Sequence, residues 1–482
     1  MNAPAFPSPE LAIPVEFQSR FAAQRAAYLK APEPTHAERV SDLKALGRLV
    51  KENQAAILAA INADYGSRSE FETLFGEVFG VLDGIRDAAR RLKGWMKPRR
   101  RSVDLLTFAG ASNRVIPQPL GVVGVVAPWN FPLFLSFSPL VSIFAAGNRA
   151  MVKMSENSRR LAELLVEISP KYFPEDKLAF FGGGSGRGPA FSSLPFDHLI
   201  FTGSGQTGRV VMANAARNLT PVTLELGGKS PAIVAPDFPI KTAAERILWA
   251  KTFNAGQVCL AVDHVYLPRG AETEFVDHCR RLFTGRYPDI NGPDFTSIID
   301  QQSYDRLMAA LEDARSKGAK LINLAEGQTP DASKRKFSPH LLLNPTAEME
   351  IMRREIFGPI LPVRLYDRPE EVADAVNAGD RPLALYPFTN DRQTRDFYIS
   401  RIMSGGVTVN DAILHVAQHD LPFGGVGASG MGHYHGREGF ETFSKLRPVF
   451  QQGRISSAQM LMQPPYGGLS RRVLDFMIKL KG

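Results

Sequence analysis

The chain has 482 residues, enough for two or three domains, and its 44 % hydrophobic and 22 % charged content is that of a soluble globular protein. Two cysteines cannot build a disulfide framework, so a reducing, cytoplasmic setting is expected. A net charge of +8 permits an acidic partner, but no stretch approaches the roughly 18 uninterrupted apolar residues of a membrane-spanning helix.

Met1 to Pro14 has no positive charge and no apolar run, so it is not read as a secretory leader. Its four prolines predict a loose arm over residues 1–15. Val40, Leu43, Leu46, Leu49 and Val50, then Ile57, Leu58 and Ile61, recur at helical spacing. Ser69-Glu70-Phe71-Glu72 has the pattern of a capping box. It leads into a second amphipathic helix with Phe71, Leu74, Phe75, Val78, Leu82, Ile85 and Leu92 on its apolar face, stopped by Pro98. The basic residues from Arg90 to Arg101 read as a solvated helix end, where cations suit the dipole. Nucleic-acid binding is the competing reading, and no stacking set or recognition motif accompanies those charges. Val103 to Pro119, broken by Gly110, suggests a hairpin.

From Gly121 short apolar runs alternate with helical patterns. The runs are 122–127, 150–152, 179–181, 198–201, 222–224 and 232–234, with helices over 159–169 and 207–217. This alternation predicts parallel sheets covered on both faces. It resumes with a strand over 263–267 and helices over 272–283 and 304–317, so two α/β domains are expected, divided near Gly227-Gly228.

Cys259 follows the polar, glycine-containing run Phe253-Asn254-Ala255-Gly256-Gln257-Val258. A thiol on such a loop can be reached by substrate and activated by its surroundings, although free cysteines are more often small core residues. Cys279 lies within a helical pattern and is assigned to packing or surface. Gly203-Ser204-Gly205-Gln206-Thr207-Gly208 fits the dinucleotide fingerprint, and Glu225 stands where that fingerprint places a ribose-binding carboxylate.

Cys259, Pro128-Trp129-Asn130-Phe131-Pro132, Phe201-Thr202-Gly203-Ser204-Gly205 and Glu355-Ile356-Phe357-Gly358-Pro359 together resemble the aldehyde dehydrogenase superfamily, from about Lys44 to about Val449. The resemblance implies a Rossmann-type cofactor domain over 16–226, interrupted by an oligomerisation hairpin at about 103–120. It also implies a catalytic α/β domain over 227–408 and a C-terminal return over 409–482. Cys259 then matches the nucleophile and Asn130 the oxyanion donor. Glu225, in Thr223-Leu224-Glu225-Leu226-Gly227-Gly228-Lys229, matches a general base rather than a ribose ligand. Trp129, Gly203, Ser204, Glu355 and Phe357 match cofactor-binding positions. Lys153 and Glu156 match the adenosine-ribose contacts, with Met154 in place of the usual proline. A carboxylate at that ribose implies NAD in preference to NADP. No metal is implied.

Leu421-Pro422-Phe423-Gly424-Gly425 through Met431-Gly432, then Tyr434-His435-Gly436, is similar to the class 3 branch, and within it to bacterial coniferyl aldehyde dehydrogenases. That likeness implies an aromatic aldehyde substrate and a homodimer, with medium- or long-chain aliphatic aldehydes as the alternative. A non-catalytic NAD-binding or structural protein is the reading from another class. At the C-terminus Arg471, Arg472, Lys479 and Lys481 bracket Val473, Leu474, Phe476, Met477, Ile478 and Leu480. This helix is expected to pack its apolar side on the protein, with no stable membrane anchor.

Overall fold

The computed structural model describes residues 12–104, 107–184, 186–454 and 463–482. The expected N-terminal arm therefore lies outside the described residues up to residue 11. Helices Val15–Lys30, His36–Glu52 and Gln54–Tyr65 open the fold. The full reciprocal capping box sits at Thr35 and Glu38. At Ser69 only half of one forms. The Ser69 hydroxyl accepts from Glu72 N, while the buried Glu72 carboxylate accepts from Thr296 Oγ1 at 2.6 Å.

The second amphipathic helix differs from its expected form. It runs as Glu70–Thr73, a π-turn over Leu74–Phe79, then Gly80–Trp95. Phe71 and Phe75 are exposed rather than buried, and Glu77 points inward instead. The wider turn rotates the helical face, so a strict 3.6-residue count fails there. The basic run is also split. Arg90, Arg91 and Lys93 end the helix, but Arg99 to Arg101 form a strand. Arg90 and Arg91 pair with Asp87, and Arg99 pairs with Glu441.

That strand, β1 (Arg99–Arg101), runs antiparallel to β2 (Ser112–Pro119). Beyond it come β3 (Val122–Val126), β4 (Arg149–Lys153), β5 (Leu178–Phe181), β6 (His198–Thr202) and β7 (Val222–Glu225). These five are parallel, in the spatial order β7-β6-β3-β4-β5. The Val-Val-Gly-Val-Val sequence of β3 is buried throughout, as a strand covered on both faces requires. From β3 the chain moves outward through β4 and β5, then returns to β6 on the other side of β3. The carboxyl ends of β3 and β6 thus flank a topological switch point, where open α/β sheets bind their ligands.

The chain changes sheet between Glu225 and Pro231. Strands β8 (Pro231–Val234), β9 (His264–Pro268), β10 (Lys320–Asn323), β11 (His340–Leu343), β12 (Ile360–Tyr366), β13 (Ala384–Phe388) and β14 (Gly406–Val407) form a seven-stranded sheet, β10-β11-β12-β9-β8-β13-β14. Two strands then go back. β15 (Gly430–Met431) pairs with β7, placing Gly430 opposite Glu225. β16 (Ser444–Gln451) pairs with β2 over eight residues and forms the edge of the three-stranded sheet β1-β2-β16. Cys279 is in the core.

The last helix, Gly468–Lys481, does not pack as expected. None of its residues is buried, and Leu474, Phe476, Ile478 and Leu480 face outward. Its described tether is a contact of Lys481 with Asp104 and Thr107. Among the described residues no helix is long and apolar enough to cross a membrane.

Candidate active site

A cleft of about 770 Å³ opens at the switch point and runs under the second sheet. Cys259, Glu225, Asn130, Trp129, Gly203, Ser204, Glu355 and Phe357 all line it. Lys153 and Glu156 lie outside that lining, at the end of β4 beyond β3.

Cys259 is delivered by a strained turn. The helix Ile240–Thr252 stops, and Asn254, Ala255 and Gly256 follow with φ of 50°, 51° and 73°. Left-handed backbone costs an alanine energy, and such strain persists only where neighbours over-determine it. Here they do. The buried Asn254 Nδ2 donates to Asn130 O at 3.1 Å and to Gln257 O at 3.1 Å. Gln257 Nε2 donates to Asn254 O at 3.0 Å and Ser297 O at 3.1 Å, and Ile299 N donates to Gln257 Oε1 at 2.9 Å. At Gly256 a side chain would collide with the Gly358 carbonyl.

The same network fixes Asn130. Its carbonyl accepts from Tyr65 Oη at 2.9 Å and from Arg68 Nη1 at 3.0 Å. Its side-chain amide donates to Gln257 O at 3.2 Å. An amide nitrogen carries two protons, so one stays available to an oxygen developing beside Cys259. Glu77, on the π-turn, completes the clamp. Its carboxylate accepts from Leu133 N at 2.6 Å and Phe134 N at 3.2 Å, and lies 2.9 Å from Arg68, with both side chains fully buried. Glu77→Ala leaves the Arg68 cation buried and unpaired. It should cost about 3–5 kcal/mol of stability, read as a lower urea midpoint at unchanged slope.

Burial favours the protonated forms of three groups that line the cleft. Burial, then the charges of Glu355 and Glu225, push the Cys259 thiol up to about 12. The resting thiol is therefore neutral and needs a base. Burial alone raises the Glu225 carboxyl well above its ordinary range, and among the described residues neither of its oxygens has a hydrogen-bond partner. Burial, then the charge of Asp263, raises Glu355 to about 8. Glu355 packs so closely on Gly227 that a side chain at that position would collide with its carboxylate. Its backbone is held through Lys229, which contacts Asp263 and donates to Arg354 O at 3.0 Å, and through Ile356 N, which donates to Asp263 Oδ2 at 3.0 Å. Phe357 has a φ of 47° and meets Trp129 edge-on, with ring centroids 5.4 Å apart.

The cleft suits an anionic dinucleotide. Six cations, Lys229, Arg306, Arg353, Arg354, Arg364 and Arg381, line it against three acids, Glu225, Glu355 and Asp380. Ser204 caps the helix Gly205–Ala216, whose N-terminus opens at the cleft and favours phosphate. At the β4 end, Lys153 Nζ donates to Glu156 Oε1 at 2.7 Å. Burial opposes ionisation of Glu156, but that bond holds its carboxyl below the usual range. Tyr65, Arg68, Glu77, Asn254 and Gln257 were not singled out from sequence. The available signal was Glu77, a charge within an apolar helical pattern.

Residues 13–449 match the family model for the aldehyde dehydrogenase family. A probable coniferyl aldehyde dehydrogenase of Pseudomonas aeruginosa is 51 % identical over 454 residues, covering 94 % of each chain. Aldehyde dehydrogenase family 3 member A2 of Mus musculus is 38 % identical, over 89 % of this chain and 87 % of that one. A solved structure of Staphylococcus aureus AldH in a substrate-bound state superposes with a TM-score of 0.89 at 32 % identity, over 95 % of this chain and 99 % of the other. With that coverage, the chain belongs to the aldehyde dehydrogenase family, as an aldehyde-oxidising oxidoreductase that uses a nicotinamide cofactor.

Proposed function

We propose that this enzyme oxidises coniferyl aldehyde to ferulate with NAD, as a cytoplasmic homodimer. The observation that carries the reaction is the convergence of Cys259, Asn130 and Glu225 on one cleft. The similarity to the Pseudomonas aeruginosa protein supports the substrate. The two free cysteines support the compartment, and β16 at a sheet edge supports pairing between copies. The six-stranded sheet would carry the cofactor, and the seven-stranded sheet the nucleophile.

The Cys259 sulfur, once deprotonated, adds to the aldehyde carbon to give a thiohemiacetal. The second Asn130 amide proton and the Cys259 backbone N–H stabilise its oxygen; one such donor is typically worth about 3 kcal/mol. A nicotinamide bound in the cleft would supply the hydride acceptor; the carbon held on Cys259 loses hydride and becomes a thioester. Glu225 takes a proton from water, whose oxygen displaces the sulfur. The balance is one aldehyde and one water to one carboxylate, one hydride and two protons.

Gly203 and Ser204 would hold the pyrophosphate, with Glu355 at the nicotinamide ribose and Trp129 and Phe357 around it. Lys153 and Glu156 would take the adenosine ribose. The ionised Glu156 repels a 2′-phosphate and so favours NAD. A panel of aromatic and aliphatic aldehydes, each with NAD and NADP, tests this by absorbance of the reduced nicotinamide. The highest kcat/KM should fall to coniferyl aldehyde with NAD. Preference for decanal, or for NADP, overturns the assignment.

A further inference from the structure

Phe71, Phe75 and Phe79 are exposed by 73 %, 44 % and 59 %, although each is a large apolar side chain. Their rings form a ladder. Phe71 and Phe75 stack with centroids 6.4 Å apart and planes 8° apart, and Phe75 and Phe79 do so at 6.3 Å and 5°. The ladder is continuous with the reacting centre. Phe75 meets Phe253 edge-on at 6.4 Å, Phe253 stacks on Phe131 at 5.7 Å, and Phe131 directly follows Asn130. None of these five phenylalanines lines the cofactor cleft. They reach Asn130 from elsewhere.

The π-turn accounts for the arrangement. It turns Glu77 inward to hold Arg68 and the backbone at Leu133, and leaves Phe75 and Phe79 outward. The intervening Gly76 keeps the helix against the inner rings. A side chain there would stand 2.9 Å from Phe253 and 3.0 Å from Phe131. The result is a row of flat apolar faces leading from the surface to Phe131, the neighbour of Asn130.

We propose that Phe71, Phe75 and Phe79 are specificity-determining residues that stack on the aromatic ring of the aldehyde at the substrate mouth. This rests on the reading of Cys259 and Asn130 as the reacting centre. A planar conjugated aldehyde presents a face to such rings, whereas a three-carbon aliphatic aldehyde has no ring to stack on them. Aromatic stacking of ordinary strength corresponds to about 2- to 10-fold in affinity per ring.

The test is the doubly substituted Phe75→Ala/Phe79→Ala protein, assayed with cinnamaldehyde and with propanal. Neither residue is buried, and circular dichroism and the thermal midpoint check that the variant folds. The ratio of kcat/KM for cinnamaldehyde over propanal should fall about 10-fold or more, mainly through KM for cinnamaldehyde. Replacement of both by leucine keeps apolar area without a flat face and should retain most of that loss. An unchanged ratio overturns the proposal, and so does full recovery with leucine. A lower oligomeric mass in the alanine variant also overturns it, because the ladder would then be a contact between copies. Wild-type oxidation of propanal checks the reacting centre separately. Absence of turnover with both aldehydes would count against Cys259 and Asn130, not against the ladder.

Discussion

Replacing Cys259 by alanine should lower turnover by at least about 10³-fold while NAD affinity is retained. The position faces the cleft and its backbone sits in a network made by Asn254 and Gln257, so removing the sulfur leaves the scaffold in place. Without the thiol no thiohemiacetal forms, and the pre-steady-state burst of reduced nicotinamide should vanish with turnover. Equilibrium NAD titration and a rapid-mixing assay on one preparation check both halves. Substantial dehydrogenase activity in this variant would sink the covalent mechanism.

Glu225→Gln should separate the two chemical stages. Hydride transfer in the first turnover should persist in part, while steady-state turnover falls by about 10²- to 10⁴-fold as thioester accumulates. A pH profile adds a sign. Burial raises the Glu225 carboxyl well above the ordinary range, so the base is protonated on the acid side of that raised value. Deacylation in the wild type should therefore rise with pH across a limb above the normal carboxylate region. The glutamine variant should lose that limb. If Glu225 were instead a ribose ligand, NAD affinity would fall and burst amplitude would weaken with it.

Phrases whose geometry is carried by short stretches of backbone were legible in the sequence. The strand-to-helix turn at Gly203-Ser204 and the loop before Cys259 depend on glycine and polar residues that leave a local signature. The clamp on Asn130 was not legible, because Tyr65, Arg68 and Asn254 meet it from 65, 62 and 124 residues away. Phe71 and Phe75 were misassigned to the core for a different reason. Periodicity identifies an apolar stripe, but a π-turn shifts which stripe faces inward. The last helix shows the same limit, since amphipathic spacing cannot say that an apolar side has a partner within its own chain.

The hydrogen bond from Asn130 Nδ2 to Gln257 O joins two loops 127 residues apart in sequence. Asn254 crosses the same gap in the opposite direction. The proposed oxyanion donor, Asn130, and the proposed nucleophile, Cys259, are therefore parts of one rigid assembly, and neither can be retuned alone. Substitutions in Pro128–Pro132 and in Phe253–Cys259 should not add as independent free energies, because each alters the reference geometry of the other. For anyone reshaping this catalyst, the two loops form a single design unit.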